Sequence, residues 1–167
     1  RLRETATRDE LTGLINKRHM LGLMAQEHQR CIRSGQSFCL ALLDIDRFKP
    51  VNEAHGYAVG DAVLAAIAQE AQRQVRVSDV LARWGGEEFL LMMSDTHAPL
   101  ARGGLERLQQ RLAALRILHG PAAVGVTVSA GLAEHIAGEP LERTLERAVA
   151  ALAEAKAQGT GRVVIGA

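Results

Sequence analysis

Cysteine, aromatic residues and excess charge of either sign are all scarce in this chain of 167 residues. Two cysteines, Cys31 and Cys39, are too few for a disulfide scaffold or a cysteine-based zinc site, so we expect a reducing compartment. Twenty basic against 19 acidic residues leave a net charge of +1, which argues against broad binding to nucleic acid or a membrane surface. No apolar run is long enough to cross a bilayer, and no secretory signal is visible. We expect a segment that does not itself insert into a membrane and faces the cytoplasm, whether or not the full-length protein is membrane-tethered.

The length favours one domain with ample room for a core, and 47% hydrophobic and 23% charged residues are typical of a globular protein. Residues 1–8 are charged and resemble the end of a linker or signalling helix, so the predicted domain covers 9–167. The first residue is Arg rather than Met, and we expect an upstream part of the same chain.

Helical and strand-like patterns are mixed along the chain. Apolar residues recurring every three or four positions predict helices, and short apolar or alternating runs predict strands. The helices are predicted over 17–34, between Pro50 and Gly56, and over 62–75, 100–118 and 141–157, and the strands over 38–43, 80–82, 89–92, 122–130 and 163–165. This order predicts an α/β fold with a largely antiparallel sheet.

Residues 83–89, Arg-Trp-Gly-Gly-Glu-Glu-Phe, interrupt an apolar stretch and predict a β-hairpin with a Gly-Gly turn. Glycine tolerates positive φ and, without a Cβ, lets a ligand approach the backbone. Glu87 and Glu88 leave the turn beside that open surface, although adjacent like charges repel. The pattern suits a divalent cation and a phosphate, and an ordinary solvated turn is the alternative.

A second pair of acids, Asp44 and Asp46, ends the buried strand over 38–43. Carboxylates there are costly unless a metal ion or a cation such as Lys49 compensates them, or unless the strand end emerges into water. Neighbouring strands can bring Asp44 beside Glu87, and hard oxygen ligands with phosphate suit Mg²⁺. Asp61 is open to two interpretations, as the N-cap of the next helix or as a ligand-binding carboxylate.

Gly85-Gly86-Glu87-Glu88-Phe89 resembles the signature of the GGDEF family, the diguanylate cyclases, in its Glu-for-Asp form. Three more blocks resemble family motifs at matching intervals, over 9–18, 44–61 and 126–131. The resemblance covers nearly the whole chain, and several ordered blocks are far more specific than one. It implies a sheet like that of nucleotide cyclases and polymerase palms, flanked by helices.

The resemblance also implies an activity, the synthesis of cyclic di-GMP and two pyrophosphates from two GTP across a homodimer. Mg²⁺, with Mn²⁺ as the alternative ion, would be held by Asp44, Glu87 and the Ile45 carbonyl. Glu87 would also be the base for the 3′-hydroxyl, and Glu88 would support the site or bind a second ion. An upstream sensor domain in the same chain would supply the signal.

Substrate contacts follow from the same resemblance. Asn52 and Asp61 would read the guanine edge, while backbone N–H groups near Phe48 and Lys49 and the side chain of Lys156 would bind phosphates.

The sequence departs from the family pattern at three positions near the substrate. Tyr57 stands where His is usual, and Glu53 stands where Asp is common. Thr160 stands where a phosphate-binding Arg is usual, with Arg162 two places later. These departures put the affinity for GTP in question more than the chemistry. They keep open a degenerate module that senses GTP or cyclic di-GMP, and a related cyclase with another product is a third alternative.

Five residues separate the motif Arg76-Val77-Ser78-Asp79 from Gly85-Gly86, and many family members carry an inhibitory site for the product, made of an Arg and an Asp, at this position. Arginine grips phosphate or a guanine edge with two nitrogens, and a carboxylate accepts from guanine N1–H and N2. A surface ion pair is the structural alternative.

Overall fold

The computed structural model describes residues 7–167, so most of the predicted linker over 1–8 lies outside the described residues. Within that range the helices are α1 (Lys17–Ser34), α2 (Phe48–His55), α3 (Tyr57–Gln74), α4 (Ala98–Ala113) and α5 (Leu141–Gln158). The strands are β1 (Phe38–Ile45), β2 (Val80–Arg83), β3 (Glu88–Ser94), β4 (Ile117–His119), β5 (Ala122–Val124), β6 (Val128–Glu134) and β7 (Val163–Ile165).

Five strands form the central sheet in the order β2-β3-β1-β6-β7. The first three pairings are antiparallel, and β7 runs parallel to β6. Strands β4 and β5 form a separate two-stranded sheet. The prediction of a mixed, mainly antiparallel sheet flanked by helices is therefore confirmed.

Strand β1 lies at the centre and is covered on both faces, which explains its continuous apolar sequence. Cys39, Ala41 and Leu43 join the core with α3 and α4, whereas Leu40 and Leu42 join the core with α1. This alternation is the two-residue period of a strand.

Helix α5 packs against β6 so closely that the contact requires glycine in the strand. A Cβ at Gly131 would overlap Leu152 N and Ala148 O and would lie 2.8 Å from the carbonyl carbon of Ala151. This close approach brings the C-terminal end of α5, which carries Lys156, over the end of β1.

Several predicted boundaries were wrong. The helix expected over 100–118 ends at Ala113, because Ile117 begins β4 and pairs with β5. The strand expected over 122–130 is two strands in different sheets, separated by residues 125–127. On α1, Leu21 and Ile32 belong to the apolar pattern that predicts the helix, but both are exposed. Within residues 7–167, no helix combines the length and the apolar character needed to cross a membrane.

Candidate active site

The acids of the central hairpin meet the end of β1. Asp44 is paired in register with Glu88 on β3 and with Ser129 on β6. Its side chain is only 13% exposed, and Lys156 Nζ lies 3.1 Å from its Oδ2. The other oxygen, Oδ1, is buried without a hydrogen-bond partner. Such an oxygen is costly unless a cation or donor meets it.

The charge environment of Asp44 reflects both burial and its neighbours. Burial raises the pKa of Asp44 to about 6, and the carboxylates of Glu87 and Glu88 act in the same direction. Lys156 opposes this increase through a hydrogen bond and its charge. A perturbed carboxyl beside a specific partner is typical of functional sites.

Glu87 is attached to the end of β1 through the backbone. The Ile45 N–H donates to the Glu87 carbonyl at 3.2 Å, and the Trp84 N–H donates to the Glu88 carbonyl at 2.8 Å. The Gly-Gly turn thus delivers Glu87 to the same sheet end as Asp44. The carbonyl of Ile45 belongs to the residue that follows Asp44 along this strand.

The turn is held by a contact that sequence reasoning missed. Arg83 donates to the carbonyls of Gly85 and Gly86 and, at 3.2 Å, to both carboxylate oxygens of Asp9. Although burial acts to raise it, hydrogen bonds from Thr12 and Arg83 hold the pKa of Asp9 below its ordinary value. Neither turn glycine adopts positive φ, and a Cβ at Gly86 would meet open space.

Asp46, two residues beyond Asp44, has the opposite environment. It is 4% exposed and accepts hydrogen bonds from Thr127 Oγ1, Ser129 Oγ and the Gly161 N–H at 2.8, 2.8 and 3.0 Å. Lys156 Nζ also lies 3.4 Å from its Oδ1. These bonds make Asp46 a structural anchor.

The compensating cation at this strand end is Lys156, whereas Lys49, considered from the sequence, has no ion pair with a described acid. Burial acts to lower the pKa of Lys156, but hydrogen bonds and charge from Asp44 and Asp46 raise it above its ordinary value.

Of the two interpretations of Asp61, the helix cap was wrong, because the helix begins before this residue. Helix α3 begins four residues earlier, at Tyr57, with Gly56 as its N-cap, so Asp61 lies inside the helix. Its carboxylate is therefore not used for capping. Tyr57 lies one helical turn before Asp61 and is 79% exposed.

The start of α2 presents backbone N–H groups without a capping side chain. Its N-cap residue, Arg47, adopts a left-handed conformation with φ 56° and ψ 39°. The Phe48 side chain is buried in the core and Lys49 is exposed, so Phe48 offers a ligand only its backbone. Unpaired N–H groups at a helix start are suited to bind phosphate.

The segment after α5 carries the altered phosphate-side residues. Arg162 folds back over Gly159, with its Nε 3.1 Å from where a Cβ would stand. Thr160 lines an open cavity of about 550 Å³ together with Asp46, Arg47 and Arg116. Two basic side chains, Arg47 and Arg116, therefore line the same cavity as Thr160.

Arg76 and Asp79 form the ion pair that was the structural alternative, with Nη2 and Oδ1 3.0 Å apart. The Arg76 guanidinium also donates to Thr96 Oγ1 at 2.7 Å. The same two residues line a cavity of about 400 Å³, with Arg107 and Arg111 on its wall. The ion pair therefore stabilises this region and borders a cavity with basic side chains, and of its two members Arg76 is half-exposed whereas Asp79 is 6% exposed.

Among residues 7–167, no three acidic, histidine or cysteine side chains form a complete metal cage. Mg²⁺ does not require one, since it takes one or two protein carboxylates and completes its shell with phosphate and water. The buried, unpaired Oδ1 of Asp44 and the neighbouring Glu87 fit that donor set.

Known proteins resemble this chain over nearly its full length. The model of the family described as "Diguanylate cyclase, GGDEF domain" matches residues 6–162. Diguanylate cyclase DgcP of Pseudomonas aeruginosa is 38% identical over 163 residues, covering 98% of this chain and 24% of that protein. Diguanylate cyclase DgcM of Escherichia coli is 34% identical over 163 residues, covering 98% and 39%. The chain therefore spans well under half of these curated relatives.

Solved structures of diguanylate cyclases have the same fold as this chain. The diguanylate cyclase SiaD of P. aeruginosa, solved with its activator SiaC, superposes with a TM-score of 0.94 at 42% identity, covering 99% of this chain and 64% of that one. The coiled coil and GGDEF domain of DgcB from Caulobacter crescentus, solved with c-di-GMP, has a TM-score of 0.94 at 30% identity, covering 99% and 88%. Sequence and structure agree that this chain belongs to the GGDEF family of diguanylate cyclases.

Proposed function

We propose that this domain is an active diguanylate cyclase that condenses two GTP molecules into cyclic di-GMP and two pyrophosphates. The observation that carries the proposal is the buried, unpaired Oδ1 of Asp44 at the sheet end where Glu87 arrives. An oxygen kept from both water and protein donors is consistent with a bound cation in the working state.

The cation in this proposal is Mg²⁺, with Mn²⁺ as the alternative, held by Asp44, Glu87 and the Ile45 carbonyl, with Glu88 beside it. When bound, the ion neutralises charge that develops on the phosphates. Phosphoryl transfer otherwise depends on positioning, which the protein supplies.

The remaining residues divide the work around the triphosphate. Glu87 accepts the proton of the 3′-hydroxyl, whose oxygen bonds to the α-phosphorus of the second GTP as the bond to pyrophosphate breaks. N–H groups at Phe48 and Lys49 and the ammonium of Lys156 hold phosphate oxygens, and Arg162 approaches from beyond α5. Two such transfers close the ring, so two protomers must face each other.

In this proposal the guanine ring of GTP lies between Asn52 on α2 and Asp61 on α3. Asp61, free of any capping role, accepts from the guanine N1–H and N2 amine. The exposed ring of Tyr57, one turn away, borders the same position.

Regulation by product completes the proposal. Arg76 and Asp79 bind cyclic di-GMP at the basic cavity that Arg107 and Arg111 also line. Calorimetry of active-site-blocked protein should detect this binding, and Arg76→Ala in the same blocked protein should remove it. Absence of heat from blocked protein that retains Arg76 would contradict the assignment. In this proposal residues 9–167 form the cyclase domain, which works in the cytoplasm.

A degenerate module that senses GTP or cyclic di-GMP is the second candidate. Thr160 in place of a phosphate-binding arginine favours it, because a weaker grip on the triphosphate would reduce turnover.

One assay separates the candidates. Purified protein is incubated with GTP or ATP and Mg²⁺ over a range of protein concentrations, and products are identified by chromatography. We expect cyclic di-GMP from GTP and no product from ATP. The rate per protomer should rise with protein concentration. Glu87→Gln should reduce product by about a thousandfold or more while the fold survives. Binding of GTP without turnover would favour the sensor, and retained turnover in the variant would contradict the role of Glu87.

A further inference from the structure

Gly60 is buried in helix α3 against the side chain of Asn52, which reaches across from α2. A Cβ at position 60 would overlap Asn52 Oδ1 and would lie 2.9 Å from its Cγ and 3.3 Å from Phe48 Cζ. The φ of Gly60 is not positive, so the backbone does not require glycine. Because glycine weakens a helix interior relative to alanine, its presence here follows from the space that Asn52 occupies.

The contact determines which end of the Asn52 amide points inward. Oδ1 is buried without a conventional donor and faces the Cα hydrogens of Gly60. A carbonyl oxygen tolerates a Cα–H contact, whereas an NH₂ group there would bury two unmatched donors. Nδ2 therefore points away from Gly60, and it is not among the buried unpaired atoms of the described residues.

We propose that Gly60 is a positioning residue that orients the Asn52 amide, so that Asn52 offers the nucleobase N–H donors and not its carbonyl. This inference rests on the proposed function, because it concerns the same guanine site. The ring acceptors of guanine then meet Asn52, and its N1–H and N2 donors meet the acceptor-only carboxylate of Asp61. Only Asp61 discriminates GTP from ITP, which lacks the N2 amine.

Binding of non-reactive GTP and ITP analogues to the intact chain tests the orientation. Asn52→Ala should weaken both analogues equally, by about tenfold, because both retain the ring acceptors. Asn52→Asp should bind both analogues no more tightly than Asn52→Ala, because its carboxylate oxygen would face an acceptor atom of the guanine ring. Asp61→Ala should lose more affinity for GTP than for ITP. A loss confined to GTP in Asn52→Ala, or wild-type affinity in Asn52→Asp, would overturn the proposal.

The role of Gly60 is tested by Gly60→Ala alone and combined with Asn52→Ala. The single variant should lose about as much GTP affinity as Asn52→Ala, and the double variant should lose no more, because the obstructed side chain is gone. Gly22→Ala on α1, where a Cβ meets open space, is the matched control and should bind like the wild type.

Each remaining outcome also decides the matter. If Gly60→Ala fails to fold, the double variant should restore folding; failure of the double variant as well would show that Asn52 is not the obstacle. Wild-type affinity in a folded Gly60→Ala would exclude the positioning role. If the wild type binds neither nucleotide, the proposed function itself fails, whereas binding with another pattern overturns only the orientation.

Discussion

Buried acids lie at both ends of the paired strands β1 and β6, but their hydrogen-bond partners and the directions of their pKa shifts are opposite. At the end formed by Ile45 and Val128, Asp44 has one unpaired oxygen, and its pKa is raised to about 6, by burial first. At the end near Phe38 and His135, Glu139 accepts from both Nε and Nη2 of Arg147 at 2.8 Å. Arg147 above all holds the pKa of Glu139 down to about 2.

The difference separates acids that stabilise the fold from an acid available for chemistry. Glu139 and Arg147 are each less than a tenth exposed, and Thr144 donates a further hydrogen bond to Glu139. A buried charge with every partner present supports the structure, and a buried charge with a partner missing is typical of a binding site. We call the end near Glu139 the satisfied end and the end at Asp44 the open end, because Asp44 has an unpaired oxygen there although Asp46 beside it is hydrogen-bonded. Variants at the two ends should respond differently.

The largest effect on stability is expected at the satisfied end. Arg147→Met leaves Glu139 buried without its partner and should lower the free energy of unfolding by about 3–5 kcal/mol. Urea unfolding measures the change. Arg143→Met on the same helix is the control, because the exposed Arg143–Glu146 pair should contribute less than about 1 kcal/mol. Equal losses of unfolding free energy in Arg147→Met and Arg143→Met would contradict the difference between a buried and an exposed ion pair.

At the open end, Asp44→Asn should have the reverse effect. It removes a partly desolvated charge that Glu87 and Glu88 repel, so metal-free protein at pH 8 should gain about 1–3 kcal/mol of stability. Cyclase activity should be lost in the same variant, since a proposed metal ligand is gone. Destabilisation of the metal-free protein would indicate that the Lys156 pair outweighs burial.

The smallest expected effect is a difference in pH dependence in the metal-free protein. The folded-state pKa of Asp44 is raised above 3.8, so its favourable contribution is present below that value and is lost as pH rises through about 6. The pKa of Glu139 is lowered from 4.5, so its contribution is present above 4.5 and is lost as pH falls through about 2.

Unfolding curves of the wild type, Asp44→Asn and Glu139→Gln at several pH values measure both contributions. The gap between wild type and Asp44→Asn should widen from about pH 4 to pH 6, and the gap to Glu139→Gln should narrow only below pH 4.5. Parallel curves would contradict the opposite pKa shifts.

Local chemistry made much of this molecule predictable. The hairpin around Gly85-Gly86, the strand beginning at Phe38 and the helix beginning at Lys17 were confirmed, because turn residues and apolar periodicity act over a few positions. Of the two interpretations of Asp61, the cap was wrong because α3 begins at Tyr57 with Gly56 as its N-cap, one helical turn before Asp61.

The sequence by itself determined which acidic residues follow the central strand and that Glu87 and Glu88 leave a tight turn, since both features depend on neighbouring residues. Only the tertiary structure decided that Asp46 would be satisfied and Asp44 left open. The partners of Asp46, Thr127, Ser129 and Gly161, lie 81 to 115 residues away along the chain. The Arg83 guanidinium likewise meets Asp9 across 74 residues, and contacts of such separation form only when the whole sheet assembles.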